Sequence, residues 1–290
     1  MSLLFRRTMA ALEALDAGDG RPGPGGVLDW SLKLGAWLIE RRGGRPASAN
    51  VIGAGEVPPF PKPPEELALS LRVAGAAVAV GIARRPQDHN GMVDDAVTLV
   101  ELISDSSVEI AGACAIAGFL SGLLDGWAME GALAQSLFVA KRAEVFGAVK
   151  GPPVVEAIRD VFDEIYTGKR VPPPFDAAEA GASGAGGPFN TLGLPGHQLV
   201  AEALSLAYLC RNASHAISRG KIRGTDGRFL AAVAGMLAGA FAPETLPQEA
   251  WVGLEDQTPV LEVVEELLEL RTSRYQRIRQ YGDRFRRKKC

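Results

Sequence analysis

The sequence predicts an all-α fold. Apolar residues recur at helical spacing, alternating β-branched runs are few, and long Leu/Ala/Val segments are separated by Pro/Gly loops. A chain of 290 residues, 47% hydrophobic and 22% charged, is large enough for one substantial core or two small ones.

The elements follow in order. Leu3 to Leu15 reads as a helix from its periodicity, and Met1 to Leu15 lacks the long apolar stretch and small-residue cleavage site of a secretory leader. Asp29 to Arg41 opens on an Asp, a residue type that caps first-turn amides. Glu65 to Arg84 and Val93 to Leu102 flank Asp88-His89-Asn90, which with Asp94 and Asp95 reads as a solvated interhelix turn. Ser107 to Asp125 contains the run Ile110 to Leu124, which is too short for a membrane span and has polar flanks. Ala128 to Phe146 follows. In Val154 to Tyr166 the neighbours Asp163 and Glu164 do not share a face, which argues against paired-carboxylate catalysis. His197 to Cys210 starts after Pro195-Gly196, and Ala213 to Arg219, which holds His215, begins in an Asn-Ala-Ser turn. Neither histidine has a Ser/Asp or Cys/Asp arrangement nearby in sequence. Arg228 to Phe241 is built almost entirely of small residues. Ala234, Ala238, Gly235 and Gly239 stand at i, i+4 spacing, so neighbouring helices can approach closely, and its first-turn N–H groups favour an anion or carboxylate. Val260 to Gln280 carries acidic residues early and basic ones late, the polarity that suits a helix dipole.

These elements form one helical domain over residues 1–270, with a basic helix end or tail at 271–290. Ala17 to Gly26 and the Pro/Gly stretches 43–64 and 171–188 cannot continue helices; the last two read as mobile loops. The formal charge of −3 gives no global reason to expect nucleic acid as a partner. The tail, with Tyr275, Tyr281 and Phe285 among its arginines and lysines, is the exception: it suits RNA, DNA or an acidic partner. Cys114, Cys210 and Cys290 are far apart and form neither a zinc pattern nor a disulfide framework, so a cytoplasmic location is expected.

The run Gly224-Thr225-Asp226-Gly227-Arg228-Phe229-Leu230-Ala231-Ala232-Val233-Ala234-Gly235 resembles the last signature of the ADP-ribosylglycohydrolase family. There, Gly-Gly-Asp-Thr-Asp-Thr precedes an Ile-Ala-Ala-Ile-Ala-Gly-Ala helix, and the two aspartates and the final Thr hold a pair of magnesium ions. Asp226 matches the first aspartate; Arg228 stands at the second and Phe229 at the Thr. Phe5 to Ala17 resembles the family's first helix, which ends in Gly-Asp-Ala-Leu-Gly, with Leu15 at the first Gly and Asp16 at the Asp. Leu28-Asp29-Trp30-Ser31 is the best match to Thr-Asp-Asp-Thr; Asp29 and Ser31 survive, and Trp30 fills the place of a carboxylate. Leu71-Arg72-Val73-Ala74 resembles the Met-Arg-Val-Ala-Pro helix, with Gly75 at the Pro. Ile103 to Ala113 resembles a Leu-Thr-His-Pro segment without its His.

The resemblance implies a single-domain orthogonal multi-helix bundle. It makes Asp226, Arg228 and Asp29 the candidate catalytic residues, and Asp16, Arg72, Gly224 and Thr225 the candidate ligand-binding residues. A magnesium pair needs several carboxylates, and the fixed charge of Arg228 repels a cation by several kcal/mol, so at most one weak magnesium site is expected. Two branches follow. One is a non-catalytic binding or scaffold module for a nucleotide-like, sugar-like or ADP-ribose-like ligand or a protein partner, with no membrane role. The other is a metal-independent hydrolase acting on a glycosidic bond of a ribosylated or phosphorylated small molecule, with Arg228 as an anion clamp and Asp226 or Asp29 as acid or base.

Overall fold

The computed structural model describes residues 2–20, 25–42, 59–170, 194–246 and 259–272, and among these it is helical with no strand. We number the helices α1 (Leu3–Asp19), α2 (Val27–Arg41), α3 (Leu69–Ala83), α4 (His89–Glu101), α5 (Ser107–Leu124), α6 (Met129–Ala143), α7 (Val154–Tyr166), α8 (Gly196–Cys210), α9 (Ala213–Lys221), α10 (Gly227–Phe241) and α11 (residues 259–272). A three-residue 3₁₀ turn, Gly224–Asp226, leads into α10.

Several boundaries differ from the sequence reading, and for three of them the local reason is plain. Helix α1 runs a full turn past Leu15, to Asp19, because nothing in Asp16-Ala17-Gly18 breaks it before the left-handed Gly20 (φ 66°), whose N–H bonds the Asp16 carbonyl at 3.0 Å. Helix α3 starts at Leu69 rather than Glu65, since residues 64–67 form a turn held by the Arg72 side chain. The segment Asp88-His89-Asn90, read as an interhelix turn, instead begins α4: Asp88 is its N-cap and accepts from Gly91 N at 3.2 Å. Asp95, from the same cluster, is buried and ion-paired with both Arg84 and Arg42.

Helix α5 lies in the core, packed on α3, α4, α6 and α8. By length and composition it could cross a membrane, yet 89% of it is buried by the protein's own helices. The tightest packing surrounds α10, which α1 and α9 clasp from two sides. A Cβ on Gly18 of α1 would overlap the Ala231 carbonyl, and one on Gly220 of α9 would overlap the Ala231 amide. Glycine on both flanking helices therefore lets three backbones meet at one alanine, which fixes the depth and register of the N-terminal half of α10.

Helix α11 closes the bundle. Its Arg271 is 2% exposed and donates to the carbonyls of Gly81 (3.0 Å), Ile82 (3.3 Å) and Ser121 (3.0 Å), to the Arg84 carbonyl, and to Asp125 Oδ1 (2.5 Å). One guanidinium thus serves the C-terminal ends of both α3 and α5, where cations are favoured. Arg271 and Thr272 continue α11 across the boundary drawn at residue 270. The tail reading for 273–290, the loop reading for 171–188 and most of that for 43–64 lie outside the described residues. Phe60, from the described end of the 43–64 stretch, packs edge-on to Trp30 (5.9 Å) and Trp37 (5.5 Å).

Candidate functional site

Three helix ends meet where the last turn of α1 faces the first turns of α2 and α10. Asp19 sits at the junction. Its carboxylate is fully buried: Oδ2 accepts from Val27 N at 3.1 Å, capping α2 from outside, and Oδ1 is ion-paired with Nη2 of Arg228 in the first turn of α10. Arg228 Nε also donates to the Asp19 main-chain carbonyl at 3.2 Å, so the guanidinium grips the side chain and backbone of one residue. The Arg228 side chain remains 35% exposed, which leaves part of its cationic edge open.

Asp16 lies one helical turn before Asp19 on α1. It is partly buried, and that burial, followed by repulsion from the Asp19 carboxylate, pushes its carboxyl up to about 6. Burial disfavours the charged form and a neighbouring anion adds to it, so Asp16 changes charge near neutrality.

The other sequence candidates have separate engagements. Asp226 ends the 3₁₀ turn and its Oδ2 accepts from Leu194 N at 3.0 Å, tying the start of α10 to the segment before α8. Gly224 opens that turn at φ 64°, where a side chain would be strained; Thr225 is its middle residue. Asp29 occupies the third position of α2, where its Oδ2 accepts from Gly25 N (2.9 Å) and Lys33 Nζ (2.8 Å). Arg72 is engaged by the turn before α3, which it clamps: Nε donates to Leu67 O (2.7 Å) and Nη2 to Pro64 O (2.9 Å). The structure therefore brings Arg228 onto Asp19, a residue outside the candidate set, while Asp226, Asp29 and Arg72 each hold a loop or helix end.

Beside Asp29, Trp30 is fully buried. Its indole donates to the Arg72 carbonyl at 3.0 Å and lies so close to α3 that a Cβ on Gly75 would be 2.5 Å from Trp30 Cδ1. Ser31 spends its hydroxyl on the Val27 carbonyl one turn back, at 2.7 Å. The Leu28-Asp29-Trp30-Ser31 segment thus turns an aromatic ring and a back-bonded hydroxyl into the fold. Among the described residues, no three His, Cys, Asp or Glu side chains gather as a metal-holding group.

A groove of about 660 Å³ opens between α7 and α8. Glu156, Asp160 and Glu164 form one wall, Lys169 lies at one end, and His197 and Glu202 come from α8. Glu202 pairs with Arg170 and, at 3.2 Å, with Arg223 just before the Gly224 turn. Leu194 lines the groove while bonding Asp226, so the groove adjoins the start of α10.

Comparison with known proteins adds one match. Residues 7–277 fit the family model described as ADP-ribosylglycohydrolase, which spans nearly the whole chain. No curated protein matches the sequence significantly.

Proposed function

The chain belongs to the ADP-ribosylglycohydrolase family, and from this premise we propose that it is a member without the family's dinuclear magnesium site, working as a binding or scaffold module for a nucleotide-like or ADP-ribose-like ligand or a protein partner. The observation that carries this reading is the Arg228–Asp19 pair. A pair of hard divalent cations needs several carboxylate oxygens free to turn towards it. Here the Asp19 carboxylate is neutralised by a guanidinium, that of Asp29 is held by Lys33 and the Gly25 amide, and that of Asp226 is bonded to Leu194 N. A divalent cation brought to about 4 Å from the Arg228 guanidinium would be repelled by about 8 kcal/mol at an effective dielectric of 20, twice the value for two unit charges. The residues present do not fit the metal pair.

The open edge of Arg228 supports the binding half of the reading, because a guanidinium with exposed N–H groups at a helix N-terminus suits a phosphate or carboxylate. Calorimetric titration with ADP-ribose, with and without magnesium, tests it. Magnesium-independent binding that weakens in Arg228→Ala is expected, with no ADP-ribose released from a modified protein. Magnesium-dependent release abolished by Asp226→Ala would overturn it.

One observation favours a second reading, a metal-independent hydrolase. A carboxyl titrating at about 6, as Asp16 does, suits a general acid or base at neutral pH. In that case turnover of a ribosylated substrate would persist in EDTA and disappear in Asp16→Asn. Retention of full turnover in that variant would remove the reading.

A further inference from the structure

We propose that the acidic groove between α7 and α8 is the docking site for the chain's own basic C-terminal segment, residues 273–290. The inference goes beyond the reading of the Arg228 site and does not depend on it. Glu156, Asp160 and Glu164 are exposed and stand at i, i+4 and i+8 on α7. At 1.5 Å of rise per residue, they form a ladder of carboxylates about 6 Å apart along one wall. Among the described residues, the basic ones lining the groove are Lys169 and Arg170, and Arg170 is paired with Glu202, so the α7 wall faces its cavity as a net anion.

The matching cation is in the same chain. Residues 273–290 hold eight Lys and Arg against the single Asp283, which leaves 23 basic and 33 acidic residues in the rest of the protein. Arg284, Arg286 and Lys288 alternate in sequence. In an extended backbone alternate residues fall on one side about 6.6 Å apart, close to the step of the carboxylate ladder. Reach is sufficient as well. Arg271 is anchored at the C-terminal end of α5, against Ser121 and Asp125, whereas Val108 near the other end of α5 touches Gly151 and Gly196 beside the groove. The length of α5 is about 27 Å, and the chain from Thr272 to Arg284 extends to about 40 Å.

Zero-length carbodiimide coupling of the full-length protein tests the assignment, using an equal mixture of isotopically light and heavy chains and peptide mass mapping. The amines of Lys288 and Lys289 are expected to couple to Glu156, Asp160 or Glu164 within one chain. The yield should fall roughly tenfold in about 0.5 M salt, where exposed ion pairs are screened. It should fall as far in the triple variant Glu156→Gln/Asp160→Asn/Glu164→Gln, whose exposed positions leave the fold intact, as a thermal melt would verify. Coupling that is absent, that is spread over other carboxylates, or that survives the triple variant would overturn the proposal. Products joining light to heavy chains would overturn it too, by giving the groove to a second copy. So would an oligonucleotide that binds the tail equally well in the wild-type and triple-variant proteins, since a groove that holds the tail must compete with nucleic acid for it.

Discussion

Arg228, in the first turn of α10, is ion-paired with Asp19, the last residue of α1, across 209 positions of sequence, and the carboxylate it meets is completely buried. Among the helices from α1 to α10, this pair joins the two that pack most extensively, near the point where Gly18 lets their backbones meet. Removing the guanidinium leaves a buried anion whose remaining recorded partner is the Val27 amide. Arg228→Met should therefore destabilise the fold by about 2–4 kcal/mol, as breaking one side of a buried pair does. Arg228→Met with Asp19→Asn should recover part of the loss, because asparagine can still accept from Val27 N without carrying charge. Urea denaturation of the two single variants and the double variant measures this coupling.

The same pair predicts how metal affinity could be restored. In Arg228→Asp, two carboxylates face each other in place of an ion pair, with Asp226 two residues earlier in sequence. The variant should be less stable than the wild type without magnesium and gain stability when it is added, by about 2.7 kcal/mol at a hundred times the dissociation constant. The wild-type melting temperature should not move over the same titration. An equal response of both proteins would show that Arg228 does not control cation access.

Asp16 makes stability depend on pH. Its folded-state carboxyl titrates at about 6 against an ordinary 3.8, so folding favours the protonated form. The stability this contributes is complete below about pH 3.8 and is lost as pH rises through 6. Asp16→Asn should accordingly stabilise the protein by about 1–2 kcal/mol at pH 7.5, a value reduced from the full shift because the group is only partly buried. The advantage should shrink between pH 6 and 4 and vanish below 3.8. Denaturant melts of the two proteins over this range are the measurement.

Much of the fold was legible in the sequence because its helices are long, apolar and separated by Pro and Gly. The run from Gly227 to Phe241 announced a tightly packed helix, and the glycines on α1 and α9 that meet Ala231 show how the close approach is made. The site was less legible. Asp16 matched the family's Gly-Asp only with Leu15 in the glycine position, whereas Gly18-Asp19, three residues on, is a Gly-Asp pair whose glycine abuts α10 and whose aspartate holds Arg228. That signal was present in the sequence. What hid it was the assumption that α1 ends near Leu15, which placed Asp19 in a loop. The start of α4 was obscured differently, since Asp88-His89-Asn90 has the composition of a turn and only the side-chain cap on Gly91 shows that a helix begins there. Arg271 looked like the first residue of a basic tail because composition cannot reveal that two helix C-termini converge on it.

Trp30 and Gly75 predict a second coupling. A methyl group at Gly75 would press on the buried indole at 2.5 Å, and the ring cannot shift without losing its bond to the Arg72 carbonyl. Gly75→Ala should cost about 1–3 kcal/mol through overpacking, even though alanine is the better helix former. Trp30→Phe should cost a similar amount through the lost volume and hydrogen bond. If the two residues share one volume, the double variant will lose clearly less than the sum of the single losses. Strict additivity in thermal or urea melts would mean that the indole does not limit the residue at position 75.

Arg271 supplies the last prediction. Its guanidinium satisfies carbonyls at the ends of α3 and α5 and pairs with Asp125, while the rest of α11 contributes apolar contacts such as Leu267 against Gly35 of α2. Arg271→Met keeps much of the stem volume but removes every donor, leaving buried carbonyls and the Asp125 carboxylate short of a partner. A loss of about 3–5 kcal/mol is expected. Hydrogen exchange should localise it: amides of α11 and of the last turns of α3 and α5 should exchange faster, whereas those in the first turn of α10 keep their protection, since Arg228 and Asp19 hold that end independently. Arg271→Lys should recover little, because a single ammonium cannot reach the carbonyls of both helices at once.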